Sequence, residues 1–337
     1  MKKVLVADAV KIEGSYYEIG YKQGQYLLEK GGMLVDEYKK MTTHSNTMEA
    51  KEMIFTYFPS FAEEIKGMAD ALKMDESLAV SLFSGYDITF PQMGCTSYSQ
   101  DGLYVRNYDF SPDLYDARLV CLQPNKGYAS IGFSQQICGR LDGMNEKGLV
   151  IGLHFVNDQL FSKGFIATAI VRMVLDQCAN AKEAAALIKK VPHGYCYNYS
   201  IIDKEGNSLL IEAAPEEQIV SNASVMRAVN HFHSPSLQSK NRPNISDSCR
   251  RKEMLSELDG LELSPQELFR YFNQGNSPYF YHQYKQYFGT LHTVVYNSAN
   301  LQLICGVGAD SELHILSLKD CLQAKWEDWQ MKGFIHI

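Results

Sequence analysis

Hydrophobic and polar positions along the chain fall into two regimes that meet near residue 94. Before it, apolar residues recur every three or four positions. Met53, Ile54, Tyr57 and Phe58, then Ile65, Met68, Ala69 and Leu72, predict helix over 47–72 with an interruption at Pro59. A weaker helical pattern covers 18–29, with Gly20 and Gly24 inside it, and a short helix fits 77–85. After residue 94 short β-prone runs alternate with turns, at 103–108, 118–122, 128–133 and 149–155. Helical spacing returns at 167–178 and 181–190, and strand signals at 197–203, 208–212 and 225–230. Helices then fit 248–258 and 265–272, and strands fit 292–296, 301–305 and 313–316. Strand sets with helical pairs between them predict an α+β layered domain over 95–337, preceded by a mainly helical segment over 1–94. The aromatic stretch 271–288 reads either as a cover over a site or as a plain surface segment.

Composition narrows the classes. The 337 residues are 45% hydrophobic and 21% charged, an ordinary globular balance. The net charge of -7 and the lack of a Lys/Arg run argue against nucleic acid as a partner. Asp8, Lys11 and Glu13 interrupt the N-terminus too early for a signal peptide, and no run is apolar enough to span a bilayer. A soluble, cytoplasmic protein is the expectation, with no membrane partner; a homo-oligomer is left open. No G-x-G-x-x-G or P-loop occurs, so no nucleotide cofactor is implied. Eight scattered cysteines without a C-x-x-C pair do not suggest a metal cluster or a disulfide scaffold.

One cysteine stands apart by its context. Gly94-Cys95-Thr96-Ser97-Tyr98 is followed by the turn Asp101-Gly102 and by Leu103-Tyr104-Val105-Arg106-Asn107-Tyr108-Asp109-Phe110. A small residue precedes a thiol, and the next strand carries an arginine and an aspartate three residues apart. A free thiol with a pKa of about 8.5 is mostly protonated at neutral pH, so a nucleophile needs a base or a cation nearby. If the bond after Gly94 is cut, Cys95 gains an α-amine with a pKa of about 8 that can take the thiol proton. Residues three apart on a regular strand face opposite sides, so bringing Arg106 and Asp109 together requires a bulge near Asn107-Tyr108 or a strand end.

Cys95-Thr96, Asp101-Gly102, Arg106-Asn107-Tyr108-Asp109 and Asp142-Gly143-Met144-Asn145-Glu146-Lys147-Gly148-Leu149 occur in this order. The pattern resembles the N-terminal-nucleophile cysteine amidases, which include choloylglycine hydrolases, penicillin V acylases and the penicillin acyltransferase group. Val229-Asn230-His231-Phe232 and Ser248-Cys249-Arg250-Arg251 resemble two later elements of that family. The long segment before Cys95 is similar to the acyltransferase-like branch, whose members cut themselves before the cysteine. The resemblance implies a four-layer αββα sandwich, cleavage between Gly94 and Cys95, and no cofactor or metal. It implies Cys95 as nucleophile, Asp109 as holder of its amine, Arg106 as the charge beside the thiol, and Asn230 as oxyanion donor. Arg250 becomes a second charge, with Arg251 beside it as the neighbouring choice.

His154 departs from the pattern, because the bile-salt branch has an asparagine on that strand; His154, Tyr108 and Phe110 are candidates for the substrate pocket. The implied activity is hydrolysis of a linear amide in an N-acyl small molecule through an acyl-enzyme, or acyl transfer from the same intermediate. A papain-like hydrolase using His231, His233 or His292 without chain cleavage, and a non-processing acyl-ligand-binding homologue, are the competing readings.

Overall fold

The computed structural model describes residues 2–336 except 32, 43–45, 90, 92, 158, 160, 287, 324 and 325. The chain opens with strand β1 (Lys2–Gly14), followed by α1 (Tyr16–Glu29), α2 (Met33–Met41), α3 (Thr47–Tyr57), α4 (Pro59–Leu72) and α5 (Glu76–Phe83). Next come β2 (Gly94–Gln100), β3 (Leu103–Phe110), β4 (Arg118–Pro124), β5 (Ser130–Gln135), β6 (Gly139–Arg140), β7 (Asp142–Asn145) and β8 (Val150–Asn157). Helices α6 (Ala167–Gln177) and α7 (Ala181–Ile188) lead to β9 (Cys196–Ile202), β10 (Ser208–Ala213), β11 (Gln218–Asn222) and β12 (Met226–Ala228). The last third holds α8 (Ser246–Leu255), α9 (Pro265–Asn273), β13 (His282–Gln283), β14 (Phe288–Asn297), β15 (Gln302–Val307), β16 (His314–Ser317), α10 (Leu318–Gln323) and β17 (Trp329–His336).

The strands form two sheets. The larger runs β11-β10-β9-β8-β7-β5-β4-β1-β17 with β6 on β5, and the smaller runs β12-β2-β3-β14-β15-β16 with β13 on β14. Strand β2 faces β8 across the gap between them. Helix α6 covers β6, β7 and β8 on the outside of the larger sheet, and α9 covers β3, β14 and β15 on the outside of the smaller. This is the expected helix–sheet–sheet–helix order. No helix among the described residues is long and apolar enough to cross a membrane.

The hairpin that carries the candidate chemistry follows from its turn. Asp101 and Gly102 both have positive φ, 51° and 78°. Such a two-residue turn matches the right-handed twist of its strands and fixes their register. Gly94 therefore stands opposite Asp109, and Cys95 opposite Tyr108.

The N-terminal segment is more than helical. Strand β1, which the sequence pattern does not reveal, is parallel to β4 and antiparallel to β17, inside the larger sheet. Lys2, Lys3, Asp8, Lys11 and Glu13 dilute its apolar alternation, yet Leu5, Ala7 and Ala9 are buried. The glycines of α1 also have a structural reason. A Cβ on Gly20 would lie 1.8 Å from the Glu64 carbonyl oxygen, and one on Gly67 would lie 2.0 Å from that of Tyr17. Glycine is what lets α1 and α4 cross backbone to backbone. Capping supports the same helices: Ser15 and Glu18 form a reciprocal cap on α1, and Pro59 sits in the first turn of α4.

Candidate active site

Cys95 is the second residue of β2 and is fully buried. Each of its polar atoms has a defined partner. Its backbone N–H donates to Asn230 Oδ1 at 2.9 Å. Its carbonyl oxygen accepts from Arg251 Nη1 at 2.8 Å. Its Sγ accepts from Arg106 Nη2 at 2.9 Å. The same Arg106 nitrogen donates to the Leu153 carbonyl at 2.8 Å, while Nη1 pairs with Asp142 Oδ2 at 2.6 Å. Burial pushes the Cys95 pKa up to about 12, and the Arg106 cation offsets that only in part. At neutral pH the group is a thiol.

Arg106 and Asp109 lie on opposite faces of β3. Arg106 points between the sheets to Asp142 and the thiol. Asn107, on the other face, donates to the carbonyls of Phe272 and Tyr279 in the outer layer. Asp109 shares that outer face and accepts from Thr290 Oγ1 at 2.6 Å. The expected bulge in β3 is absent; the irregularity is in the neighbouring strand, between Thr290 and His292 of β14. Asp109 is nonetheless next to the candidate scissile bond. A Cβ on Gly94 would lie 3.0 Å from Asp109 Cβ and 2.9 Å from the Phe288 ring. Burial raises the Asp109 pKa against the pull of Arg251, and its Oδ2 has no hydrogen-bond partner among the described residues. The aromatic stretch 271–288 does cover this face: Tyr281 N donates to Thr290 Oγ1, and the Arg251 guanidinium lies over the Tyr281 ring.

Asn230 is oriented by its neighbours. Cys95 N and Arg251 Nη2 both donate to its Oδ1, and its Nδ2 donates to the Phe155 carbonyl at 2.8 Å. In this state the side chain accepts from Cys95 N–H, and its amide donor is turned toward Phe155. His154 Nε2 lies 3.1 Å from Ser97 Oγ and 3.0 Å from Ser200 Oγ, and burial drives its pKa far down, so the ring is neutral. Tyr108 and Phe110 are fully buried in the core between the sheets, close to Cys95.

The arginine that reaches Cys95 is Arg251, not Arg250. Arg250 is exposed and pairs with Asp247 at 2.7 Å. Arg251 is buried, and its Nη1 also donates to Thr96 Oγ1 at 2.8 Å. The helical period holds the signal: Ser248, Arg251 and Leu255 form the buried face of α8. A cleft of about 370 Å³ opens beside this arginine, lined by Gln159, Arg242, Asn244, Asp247, Ser248 and Phe288. The histidines of the papain-like reading are engaged elsewhere. His231 Nδ1 meets Ser248 Oγ at 2.8 Å, and His292 meets Asp142 and Tyr115.

The sandwich, with a buried cysteine near the start of β2, and the family match place the chain in the N-terminal-nucleophile hydrolase superfamily. More narrowly, the chain belongs to the acyl-coenzyme A:6-aminopenicillanic acid acyl-transferase family, whose model matches residues 96–311. No curated protein matches the sequence. Among solved structures it is similar to a penicillin V acylase from Agrobacterium tumefaciens, at 16% identity and a TM-score of 0.44, over 67% of this chain and 86% of that one. It is also similar to a conjugated bile acid hydrolase from Clostridium perfringens, at 13% identity and a TM-score of 0.46, over 68% and 93% of the two chains. A third is an N-acylethanolamine-hydrolyzing acid amidase ortholog from Caenorhabditis elegans, at 13% identity and a TM-score of 0.41, over 61% and 93%.

Proposed function

We propose that this chain is the precursor of a cysteine amidase that cuts itself between Gly94 and Cys95. It then acts on the linear amide of an N-acyl small molecule through a thioester at Cys95. The observation that supports this best is the three-way hold on Cys95, by Asn230 at N, Arg251 at O and Arg106 at Sγ. A structural cysteine has no need of two buried guanidinium groups.

In the first step Sγ attacks the Gly94 carbonyl, and the C–N bond to Cys95 breaks as a thioester forms. The Cys95 nitrogen leaves as an amine, and water hydrolyses the thioester to a Gly94 carboxylate and a free thiol. Asn230 Oδ1 already accepts from that nitrogen, and Asp109, whose Oδ2 has no partner among the described residues, stands opposite Gly94 as a second acceptor for the new ammonium. In turnover the amine takes the thiol proton, Sγ attacks the acyl carbon, and the proton passes to the departing amine. Water then releases the acid, or a second amine takes the acyl group. The cleft beside Arg251 is the opening through which the substrate would reach this side of the site.

The test is the intact mass of the purified protein under denaturing conditions. Cleavage gives pieces of 94 and 243 residues (337 less 94), the larger beginning at Cys95. Incubation with an N-acyl amine then leaves an acyl adduct on the larger piece. A chain that stays whole for days with Cys95 unmodified overturns the reading.

A further inference from the structure

Arg106 has a second partner that the proposed chemistry leaves without a role. Asp142, at the start of β7, is fully buried and takes three hydrogen bonds. Arg106 Nη1 donates to Oδ2 at 2.6 Å, Tyr296 OH donates to Oδ1 at 2.6 Å, and His292 Nε2 lies 3.2 Å from Oδ2. Burial opposes ionisation of this carboxyl, but the bonds from His292, Arg106 and Tyr296 outweigh it and hold its pKa below the usual value. Asp142 is therefore a carboxylate, an acceptor only, and His292 must donate from Nε2. His292 Nδ1 is left to accept from Tyr115 OH at 2.8 Å. Burial also lowers the His292 pKa, so the ring is neutral. Tyr115 then donates to His292 and His292 to Asp142, where Arg106 and Tyr296 also donate, and the imidazole is fixed by stacking on Phe133 at 3.8 Å.

We infer that Asp142 is a positioning residue that neutralises Arg106 and thereby helps burial to keep the Cys95 thiol protonated until the chain is cut. Burial is the larger cause, and what Asp142 adds is charge balance. A buried guanidinium between two acceptors stabilises whichever carries the negative charge, and the carboxylate ionises first. With Arg106 already paired, a thiolate would be a second buried anion. The other groups that face the thiol do not supply its counter-ion: Tyr108 is neutral, Asp109 raises the thiol pKa, and His154 is neutral. Arg251 favours the thiolate electrostatically but is bonded to the Cys95 carbonyl, Thr96 and Asn230, and its Nε pairs with the Asp247 carboxylate at 3.3 Å. The residues facing Asp142 beyond its three donors, Tyr104, Tyr115 and Cys305, are also uncharged.

This inference rests on Cys95 being the nucleophile, and its test reads acidity alone, while processing is read separately by mass. Freshly purified protein carrying 13Cβ-labelled cysteine, shown by intact mass to be whole before and after the titration, is titrated by NMR, with the Cys95 signal assigned from Cys95→Ser. The wild-type signal should stay constant through pH 10. In Asp142→Asn it should titrate with a midpoint below pH 10, a rise of ~100-fold or more in thiolate fraction at a given pH. Tyr296→Phe, which loosens Asp142 without removing its charge, should behave as wild type; a purely structural role would make both variants alike. Asp142→Ser is the second uncharged variant. An unchanged Cys95 signal in a folded uncharged variant overturns the inference. So does a 13Cγ-aspartate signal showing Asp142 protonated at pH 7 in the wild type, which requires no variant.

Discussion

Arg251 Nη1 donates to the carbonyl oxygen of Cys95 at 2.8 Å, while its neighbour Arg250 is out on the surface with Asp247. Two adjacent arginines on one helix thus have opposite environments. Both reach Asp247, but only the buried one also ties together the Cys95 carbonyl, Thr96 and Asn230. Replacing Arg251 by Ala leaves these acceptors short of a charged donor inside the protein. Such a loss is expected to destabilise the fold by about 3 kcal/mol or more and to slow processing roughly 100-fold. Arg250→Ala should stay within about 0.5 kcal/mol of wild type and process normally. Chemical denaturation and a mass time course on the two variants check this pair, and equal effects would mean that Arg251 does no more for the site than its surface neighbour.

Gly94 is fixed by close approach, not by backbone angle. A Cβ there meets the Phe288 ring at 2.9 Å and Asp109 Cβ at 3.0 Å. Asp109 is held in the strand opposite, so the ring must yield. Gly94→Ala is expected to cost about 1–3 kcal/mol by overpacking. Adding Phe288→Ala should recover part of that loss, because the two sites share one contact. Denaturation midpoints of the two single variants and the double variant close the cycle. Additive effects would mean that the methyl and the ring do not compete.

What is legible in the sequence divides from what is not along physical lines. The hairpin from Gly94 to Phe110 is legible because its turn residues, Asp101 and Gly102, set the register by local chemistry. The buried partner of Arg106 is not, because Asp142, and the His292 that holds it, come from strands far away in sequence and neither has a local signature. The motif around Asp142 is visible, yet nothing in its spacing says that it meets Arg106. Reading residue by residue along the chain favours Arg250 over Arg251, where the helical period is the better guide. Strand β1 stays hidden because its charged positions mask the alternation, and its identity as a strand comes from pairing with β4 and β17.

That strand carries a consequence for the proposed processing. The N-terminal segment holds on through β1 in the sheet and through a buried ion pair and hydrogen bonds. Arg172 of α6 meets Glu64 of α4 at 2.7 Å, Tyr16 OH donates to Asp176 of α6 at 2.9 Å, and Tyr38 OH donates to Asp116 at 2.7 Å, all buried. A cut after Gly94 should therefore leave the 94-residue piece bound. The two pieces are expected to elute together in native size-exclusion chromatography and to separate only in denaturant. Glu64→Ala strips Arg172 of one carboxylate and is expected to cost about 3–5 kcal/mol, with the short piece lost first. Elution of the short piece by itself from wild-type protein would contradict this hold.

Stability at mildly acidic pH should depend on a histidine remote from Cys95. His193 is buried beside Tyr197 and Tyr199, and burial pushes its pKa down to about 4. The unfolded chain binds this proton near pH 6.5, so between about pH 6.5 and 4 it holds more proton than the folded chain. The stability that the neutral ring contributes is complete above pH 6.5 and is lost as pH falls toward 4. The loss amounts to about 3 kcal/mol at the low end. His193→Phe keeps an aromatic ring against the two tyrosines and removes the titration. Its melting temperature should fall less than that of wild type between pH 7 and pH 5, whatever its absolute value at pH 7. Parallel melting curves for the two proteins across that range would mean that His193 is protonated without penalty, and that water reaches it through the aromatic layer.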